Sequence, residues 1–499
     1  MENRFNLVDE PWLPVADHGR VSLRDIFSNS EYQSLGGNPI QKIAVFKLLL
    51  AIAQAAATPE DEKGWHQLGA QGMAEKCLAY LEHWYDRFYL YGDKPFLQMP
   101  AIAAARALSF GAFIPEVSTG NTTVLTQSQV EGSLSDADKA LLVLLQMGFA
   151  LSGKKTDNSV VLSLGYAGKR NDKGKPSTGK PGPSVAHMGL LHNFIMGHNL
   201  HNSIWLNLVS NQQLSAIGMF SAGVGFAPWE KMPKGEACAI AEQLKQSYMG
   251  RLLPLCRFCL LADSKMHYSE GIAYAGYKEG MHDLSVAIDY SAKEPKAQWT
   301  DPNKRPWREL TSLLSFIDLS GSSGFQSWQV RLGVEKARDT QELFSIWSGG
   351  LRVSSNAGEQ YVSGTDDFVE STIWLESEVL GQTWFNQLQL EMSGLDTLAK
   401  ALYGRVLGYF KELTVDGKNT AALATHMFWQ LCERDFQTLV NSCDASKEGL
   451  QQRKILRRTF ARYQHQCYDF YCPNVTARQM DAWAQHRPNH YKYISQEAS

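Results

Sequence analysis

Apolar residues recur at helical spacing in the first hundred residues of the chain. Residues 39–57 place apolar side chains three and four positions apart, and this spacing predicts a helix. Residues 60–91 give a second helical region that ends in a cluster of aromatic residues. Residues 6–15 alternate apolar and polar positions and contain two prolines, as a short edge strand does. Residues 20–27 predict another strand that leads into a helix start.

The pattern changes along the rest of the chain. Residues 250–375 predict mixed strands and turns, with strand candidates at 268–277, 284–290, 330–335 and 351–361. Helical periodicity then dominates in four consecutive segments, 376–393, 395–413, 419–443 and 446–472, separated by short breaks such as Ser393-Gly394. Short connections between helices favour an antiparallel bundle. The sequence therefore predicts an α+β fold: a large mixed α/β domain over 1–375 and a C-terminal all-α four-helix bundle over 376–499.

Composition limits the class of protein. The chain has 499 residues, 44% hydrophobic and 20% charged, as in an ordinary globular protein of two or three domains. Its net charge of −3 excludes a generally basic nucleic-acid binder, so any such contact must be local. Eight scattered cysteines, no signal-like N-terminus and no apolar run long enough to span a bilayer predict a cytoplasmic protein without a membrane segment.

One stretch, residues 163–184, is rich in glycine and lysine and lies between two apolar segments. Residues 153–182 contain seven Lys or Arg and two Asp, a local charge of about +5 on a chain of −3. Glycine lets a backbone approach a polyanion closely, and lysine supplies charge for phosphates. The stretch therefore predicts contact with nucleic acid or phosphate, and a solvated surface loop of the same composition is the alternative.

Two kinds of catalytic or metal site are considered and not favoured. Gly174, Gly179 and Lys180 match the first part of a phosphate-binding loop, but Pro181 replaces the Ser or Thr that holds magnesium. Four histidines and one Cys-x2-Cys pair offer metal ligands, at His187, His192, His198, His201, Cys256 and Cys259. No second Cys pair or carboxylate cluster accompanies them, so core or hydrogen-bonding roles are favoured. We expect no catalytic residue, no metal and no cofactor.

The last predicted helix carries a basic face. Arg453 and Arg457 are four residues apart, and so are Arg458 and Arg462. Like charges at this spacing repel and lower stability unless an anion compensates them. A DNA phosphate is one such anion, and a plain solvated face is the alternative.

Several motifs, in their order along the chain, resemble one known family. They are NLVDEPWLPV at 6–15, VSLRDIF at 21–27, YLYGDKPFLQM at 89–99, RLLPLCR at 251–257, DPNKRPWRELTSLL at 301–314 and WSGGLRV at 347–353. Together they are similar to the CasA family, the large subunits of the type I-E CRISPR surveillance complex Cascade. No single motif is as specific as a catalytic signature, and their shared order carries the resemblance.

The resemblance implies DNA-binding roles for particular residues. Gly165, Tyr166, Ala167, Gly168 and Lys169 correspond in position to a glycine loop that reads the protospacer-adjacent motif from the minor groove, although the family can have more consecutive glycines here. Lys278, or Lys265 in its place, corresponds to a lysine that contributes to motif recognition. Asn356 and Gln360 lie in a predicted hairpin where the family carries a wedge between base pairs. The basic helix faces the target duplex in the family.

The implied function is a non-enzymatic one. The family recognises the adjacent motif in double-stranded DNA, helps to unwind the target and recruits a helicase-nuclease, while the crRNA supplies sequence specificity. Its implied partners are target DNA, crRNA, the helicase-nuclease, and the backbone, small and crRNA-end-binding subunits of Cascade. Two alternatives stay open: a nucleotide- or metal-dependent nucleic-acid enzyme, and a purely structural scaffold subunit.

Overall fold

The structure is a computed structural model that describes residues 2–113, 133–149, 187–274, 283–291, 293–318, 324–352 and 367–495. The chain divides into two compact units. The first comprises Met1–Pro306, Gly324–Ala337 and Ile346–Ser371; the second comprises Trp307–Ser323, Arg338–Ser345 and Thr372–Ser499. The second unit thus takes in two earlier segments as well as the C-terminal helices, which a boundary at a single residue does not describe.

The strands are short, and most pair antiparallel in small sheets. They are β1 (Arg4–Asn6), β2 (Leu13–Val15), β3 (Gly19–Val21), β4 (Tyr89–Tyr91), β5 (Ala107–Ser109), β6 (His192–Met196), β7 (Arg257–Leu261), β8 (Lys265–Glu270), β9 (Ile288–Asp289), β10 (Lys296–Ala297), β11 (Leu343–Leu351) and β12 (Phe368–Glu376). Among the described residues, two sheets have three strands, in the orders β5-β8-β7 and β12-β11-β6, and β1-β4, β2-β3 and β9-β10 form pairs. The single strand predicted over 6–15 is two strands, because a turn separates β1 from β2.

The helices before the C-terminal region are α1 (Leu23–Ser28), α2 (Pro39–Ala57), α3 (Glu62–His83), α4 (Asp136–Gln146), α5 (Leu200–Asn207), α6 (Asn211–Ile217), α7 (Ala239–Lys245), α8 (Met249–Leu252), α9 (Leu310–Leu313) and α10 (Trp328–Thr340). The predicted limits of α2 are confirmed. Asn38 and Gln41 form a capping box at its start, where the proline ring fits the first helical position.

Helix α2 runs through the core of the first unit. It is long and apolar enough to cross a membrane by length and composition, but 78% of that window is buried inside the protein. Its one buried lysine, Lys47, is 1% exposed. A charge buried in an apolar helix needs a partner, and that partner defines the site described below.

The strand predicted at 330–335 is wrong, because these residues lie inside α10. Val330, Leu332 and Val334 alternate as strand residues do, yet Val330, Val334 and Ala337 also share one face of a helix, and all four are buried. A short alternating run fits both the two-residue period of a strand and the 3.6-residue period of a helix, and tertiary packing decides which one forms. Gly333 lies against Ile195 so closely that a Cβ there would be 2.4 Å from Cγ1 of that side chain.

The second unit is built on the long helices α11 (Gln382–Glu412), α12 (Lys418–Asn441) and α13 (Lys447–Tyr471), followed by the shorter α14 (Ala477–His486) and α15 (Tyr491–Ile494). Helix α11 packs on α12, α13 and α14, and α12 packs on α13. The break predicted at Ser393-Gly394 does not occur, so 376–393 and 395–413 are not separate helices. Gly394 serves packing instead, because a Cβ there would lie 2.9 Å from the ring of Tyr493.

Candidate nucleic-acid interface

Most residues predicted to bind DNA belong to three segments outside the described residues. Gly165, Tyr166, Ala167, Gly168 and Lys169 lie in 150–186, Lys278 lies in 275–282, and Asn356 and Gln360 lie in 353–366. Described residues flank each of these three segments on both sides. We call them the bases of the three segments, and all of them belong to the first unit.

The base of the first segment is closed by a backbone contact. The amide of His187 donates to the carbonyl of Gly148 at 3.0 Å, so the chain leaves and returns at the same place. The His187 ring covers Gly148, and a Cβ on that glycine would lie 1.9 Å from Cδ2 of the imidazole. Only glycine fits there. The described residues on either side of 150–186 therefore meet at one point of the core.

The base of the second segment meets the first in a buried polar group, here named the Lys47 cluster: Lys47, His187, His192, Asp283 and Ser285. The Lys47 ammonium lies 2.6 Å from Oδ2 of Asp283, and Nδ1 of His187 lies 3.6 Å from the same oxygen. The Ser285 hydroxyl donates to the other oxygen at 2.7 Å. Asp283 directly follows residues 275–282, so the cluster holds the ends of two predicted DNA-binding segments together.

Charge compensation explains how the Lys47 cluster tolerates burial. Burial raises the pKa of the Asp283 carboxyl, but the Lys47 ammonium and the His192 and His187 imidazoles together outweigh burial, and the net pKa is lowered. Burial lowers the pKa of Lys47, and Asp283 opposes that shift. Burial and the Lys47 charge lower the pKa of His192 to about 4, so this imidazole is neutral at pH 7. His187, His192 and Asp283 could together ligate a metal ion, but Lys47 already supplies the positive charge that Asp283 requires.

The base of the third segment joins the same region. The amide of Arg352 donates to the carbonyl of Asp367 at 3.0 Å, which closes residues 353–366. The Arg352 guanidinium pairs with Asp301 at 3.3 Å. Just before Asp301, the Thr300 amide donates to the carbonyl of Gly189 at 2.8 Å, two residues after His187. The bases of three segments that are far apart in sequence thus belong to one continuous framework.

The basic helix requires a correction. Arg453 and Arg457 lie in α13 but are 4% and 2% exposed, so they cannot be part of a phosphate-binding surface. Nε of Arg457 donates to both carboxylate oxygens of Glu391, at 3.0 and 3.1 Å. Nε of Arg453 lies 4.0 Å from the same carboxylate. The anion that compensates this like-charge pair is therefore an internal side chain.

Arg458 and Arg462 lie on the exposed side of α13, and Lys265 is exposed at the start of β8. These three side chains remain available for a surface contact. Their position on the surface fits the predicted role, and their contact with DNA stays a prediction.

The remaining candidate ligands have structural roles. His201 is buried and its Nε2 bonds the carbonyl of Ile26 at 2.8 Å, while His198 bonds Asn202 at 3.1 Å, as predicted for core or hydrogen-bonding histidines. Cys256 and Cys259 are buried at β7 and, in the part of the chain that the structure describes, belong to no group of metal-ligating side chains.

Sequence reasoning missed Lys47 and Asp283. A lysine in the middle of an otherwise apolar helix was the available signal for the first. Nothing in the local sequence marked the second, since its partner lies 236 residues away.

Known proteins of the same architecture were compared with this one. Cse1 of Thermobifida fusca gives a TM-score of 0.78 at 20% identity, over 99% of this chain and 98% of that one. CasA of Thermus thermophilus gives 0.73 at 16% identity, over 98% and 99%. A chain of a structure titled "CRISPR RNA-guided surveillance complex" gives 0.71 at 16% identity, over 97% and 99%. At such identities the likeness shows a shared fold.

Sequence comparison goes further. A CasA/Cse1 protein of Thermus thermophilus is 31% identical over an alignment 168 residues long, which covers 30% of this chain and 32% of that protein. This match spans only about a third of the curated relative. The family described as CRISPR-associated protein Cse1, by contrast, matches residues 6–467. Since that match covers most of the sequence, the resemblance is confirmed and the chain belongs to the CRISPR-associated Cse1 family, also named CasA.

Proposed function

We propose that this chain is the large subunit of a cytoplasmic type I-E Cascade complex and recognises the protospacer-adjacent motif in double-stranded DNA. Family membership supports the assembly, and one structural relative belongs to a CRISPR RNA-guided surveillance complex. The observation that supports motif recognition is that the bases of the three protein segments lie in one continuous framework. In this framework the His187–Asp283 contact at 3.6 Å connects the first base to the second, and the Arg352–Asp301 pair at 3.3 Å connects the third base.

In this proposal each segment has a separate task. Residues 165–169 approach the minor groove, where small residues allow the backbone to read groove shape. Lys278 adds charge beside the motif, with Lys265 as the alternative. Asn356 and Gln360 enter between base pairs and replace lost hydrogen bonds, while the crRNA supplies sequence specificity by pairing.

The subunit has no catalytic role in this proposal. Its partners are target DNA, crRNA, the other Cascade subunits, and a helicase-nuclease recruited after the target is bound. Arg458 and Arg462 contact phosphates of the duplex without reading sequence.

The test replaces Gly165 and Gly168 with Leu in the assembled complex. A side chain at either position holds the backbone away from the groove, so affinity for a duplex with the correct motif falls. Affinity for the single-stranded target is kept, because pairing to an open strand bypasses the motif. Gly404→Leu, at an exposed position of α11 where an added Cβ meets no atom within 4 Å, is the matched control and leaves both affinities unchanged. Equal losses on duplex and single strand would contradict the assignment.

A further inference from the structure

Trp299 is an exposed aromatic residue on a fixed backbone. Its side chain is 54% exposed, whereas its neighbours Gln298 and Thr300 are 5% and 4% exposed. Both neighbours are hydrogen-bonded to the backbone just before β6: the Gln298 carbonyl accepts from the Leu191 amide at 3.0 Å, and the Thr300 amide donates to the Gly189 carbonyl at 2.8 Å. Only the indole therefore reaches the surface, from a backbone that is held on both sides.

The indole also rests on a surface that suits it. A Cβ on Gly189 would lie 3.1 Å from Cζ3 and 3.2 Å from Cε3 of Trp299, so the six-membered ring lies against the glycine backbone. Gly189 has φ of +77°, a conformation that residues with side chains rarely adopt. The glycine thus provides both the turn and the space, and the ring is positioned before any ligand arrives.

The location of the ring suggests its ligand. Trp299 lies between two bases, because Gly189 follows His187 by two residues and Asp301, which pairs with Arg352, follows Trp299 by two. The segments on these bases are the ones proposed to read the motif and to separate base pairs. Residues 293–305 carry four Lys or Arg against Glu294 and Asp301, a local excess of two positive charges.

We propose that Trp299 is a stacking platform for a nucleobase of the target DNA next to the motif, at the point where the duplex opens. This inference rests on the proposed function. Every base presents a π-face, so an aromatic ring can receive an unpaired base of any sequence, and nearby cations hold the adjacent phosphates. A single exposed tryptophan elsewhere on a protein needs no explanation. Here it is held in place between the bases of two segments that are proposed to bind DNA.

The experiment measures affinity of the assembled complex for motif-containing duplexes. Trp299→Ala lowers affinity by roughly 5- to 150-fold, the range expected for loss of one base–aromatic stack, and Trp299→Phe restores most of it. Phe470→Ala, which truncates an aromatic side chain 70% exposed in the second unit, is the matched control and changes nothing. The subunit composition of each purified complex is checked alongside.

A series of abasic duplexes identifies the stacked base. Each duplex in the series lacks one base at a different position beside the motif. At the position of the stacked base, wild type and Trp299→Ala bind with equal affinity, because wild type has no base to stack on. The inference is overturned if Trp299→Ala binds DNA as tightly as wild type, or if its loss of affinity persists at every abasic position. It is also overturned if the Trp299→Ala complex loses a neighbouring subunit, because Trp299 would then contact protein. If the wild-type complex itself does not distinguish the motif, the proposed function fails and this inference fails with it.

Discussion

The buried carboxylate of Glu391 is predicted to be essential for the stability of the second unit. Its side chain is 2% exposed and accepts three hydrogen bonds from Arg457, at 2.5 to 3.1 Å. It also lies 4.0 Å from Arg453, whose guanidinium donates to the carbonyls of Ser442 and Asp444. Glu391→Gln keeps the shape of the side chain but removes the negative charge that this carboxylate supplies to two buried cations.

The size of the effect follows from that geometry. Removing one partner of a buried ion pair costs about 3–5 kcal/mol, because the remaining charge stays buried without compensation. The second unit has about 150 residues, for which 1 kcal/mol shifts Tm by about 2–4 °C. Glu391→Gln should therefore lower the Tm of this unit by roughly 6–20 °C.

Urea and thermal unfolding of the full chain, followed by far-UV circular dichroism, provide the measurement. Asp469→Asn is the matched control, since Asp469 pairs with Arg487 at 3.0 Å on the surface, where such a pair contributes about 0–1 kcal/mol. The double variant Glu391→Met/Arg457→Met removes both charges and should recover most of the loss, because apolar residues of similar volume can replace a buried pair. Arg453 keeps its two carbonyl acceptors in that variant.

Two results would refute this reasoning. If Glu391→Gln unfolds like Asp469→Asn, the carboxylate does not compensate the arginines. If the double variant is as unstable as Glu391→Gln, the loss reflects packing rather than an uncompensated charge.

Two further predictions concern the surface of α13 and the core of the first unit. Arg458→Gln/Arg462→Gln in the assembled complex should lower the salt slope of DNA binding by about 0.9 per lost contact, equally for duplexes with and without the motif. The control Arg405→Gln, at an exposed position of α11, should leave the slope unchanged. An unchanged slope in the double variant would assign Arg458 and Arg462 to another role. Burial and the charge of Lys47 lower the pKa of His192 to about 4, so its neutral form favours folding fully above pH 6.5 and progressively less as pH falls towards 4. Urea unfolding at pH 7.5 and pH 5 should show a loss of about 2 kcal/mol from this group, and His192→Gln should flatten the pH dependence; an equal pH dependence in both proteins would contradict the assignment.

Local patterns in the sequence determined a definite part of this protein. Helix α2 has its predicted limits because capping and apolar periodicity act within a few residues. Ser135 caps α4 for the same reason. The order of motifs was sufficient to identify the family.

Only the tertiary structure decided which groups meet. The compensating anion is Glu391, 66 residues before Arg457, where DNA phosphate had been the prediction. Gly394 continues a helix because Tyr493 packs on it, although glycine in a helical pattern often marks an end. The Lys47–Asp283 pair joins residues 236 apart and brings the bases of two predicted DNA-binding segments together. Periodicity carries information over one or two turns of chain, whereas the partner of a buried charge depends on how distant elements pack.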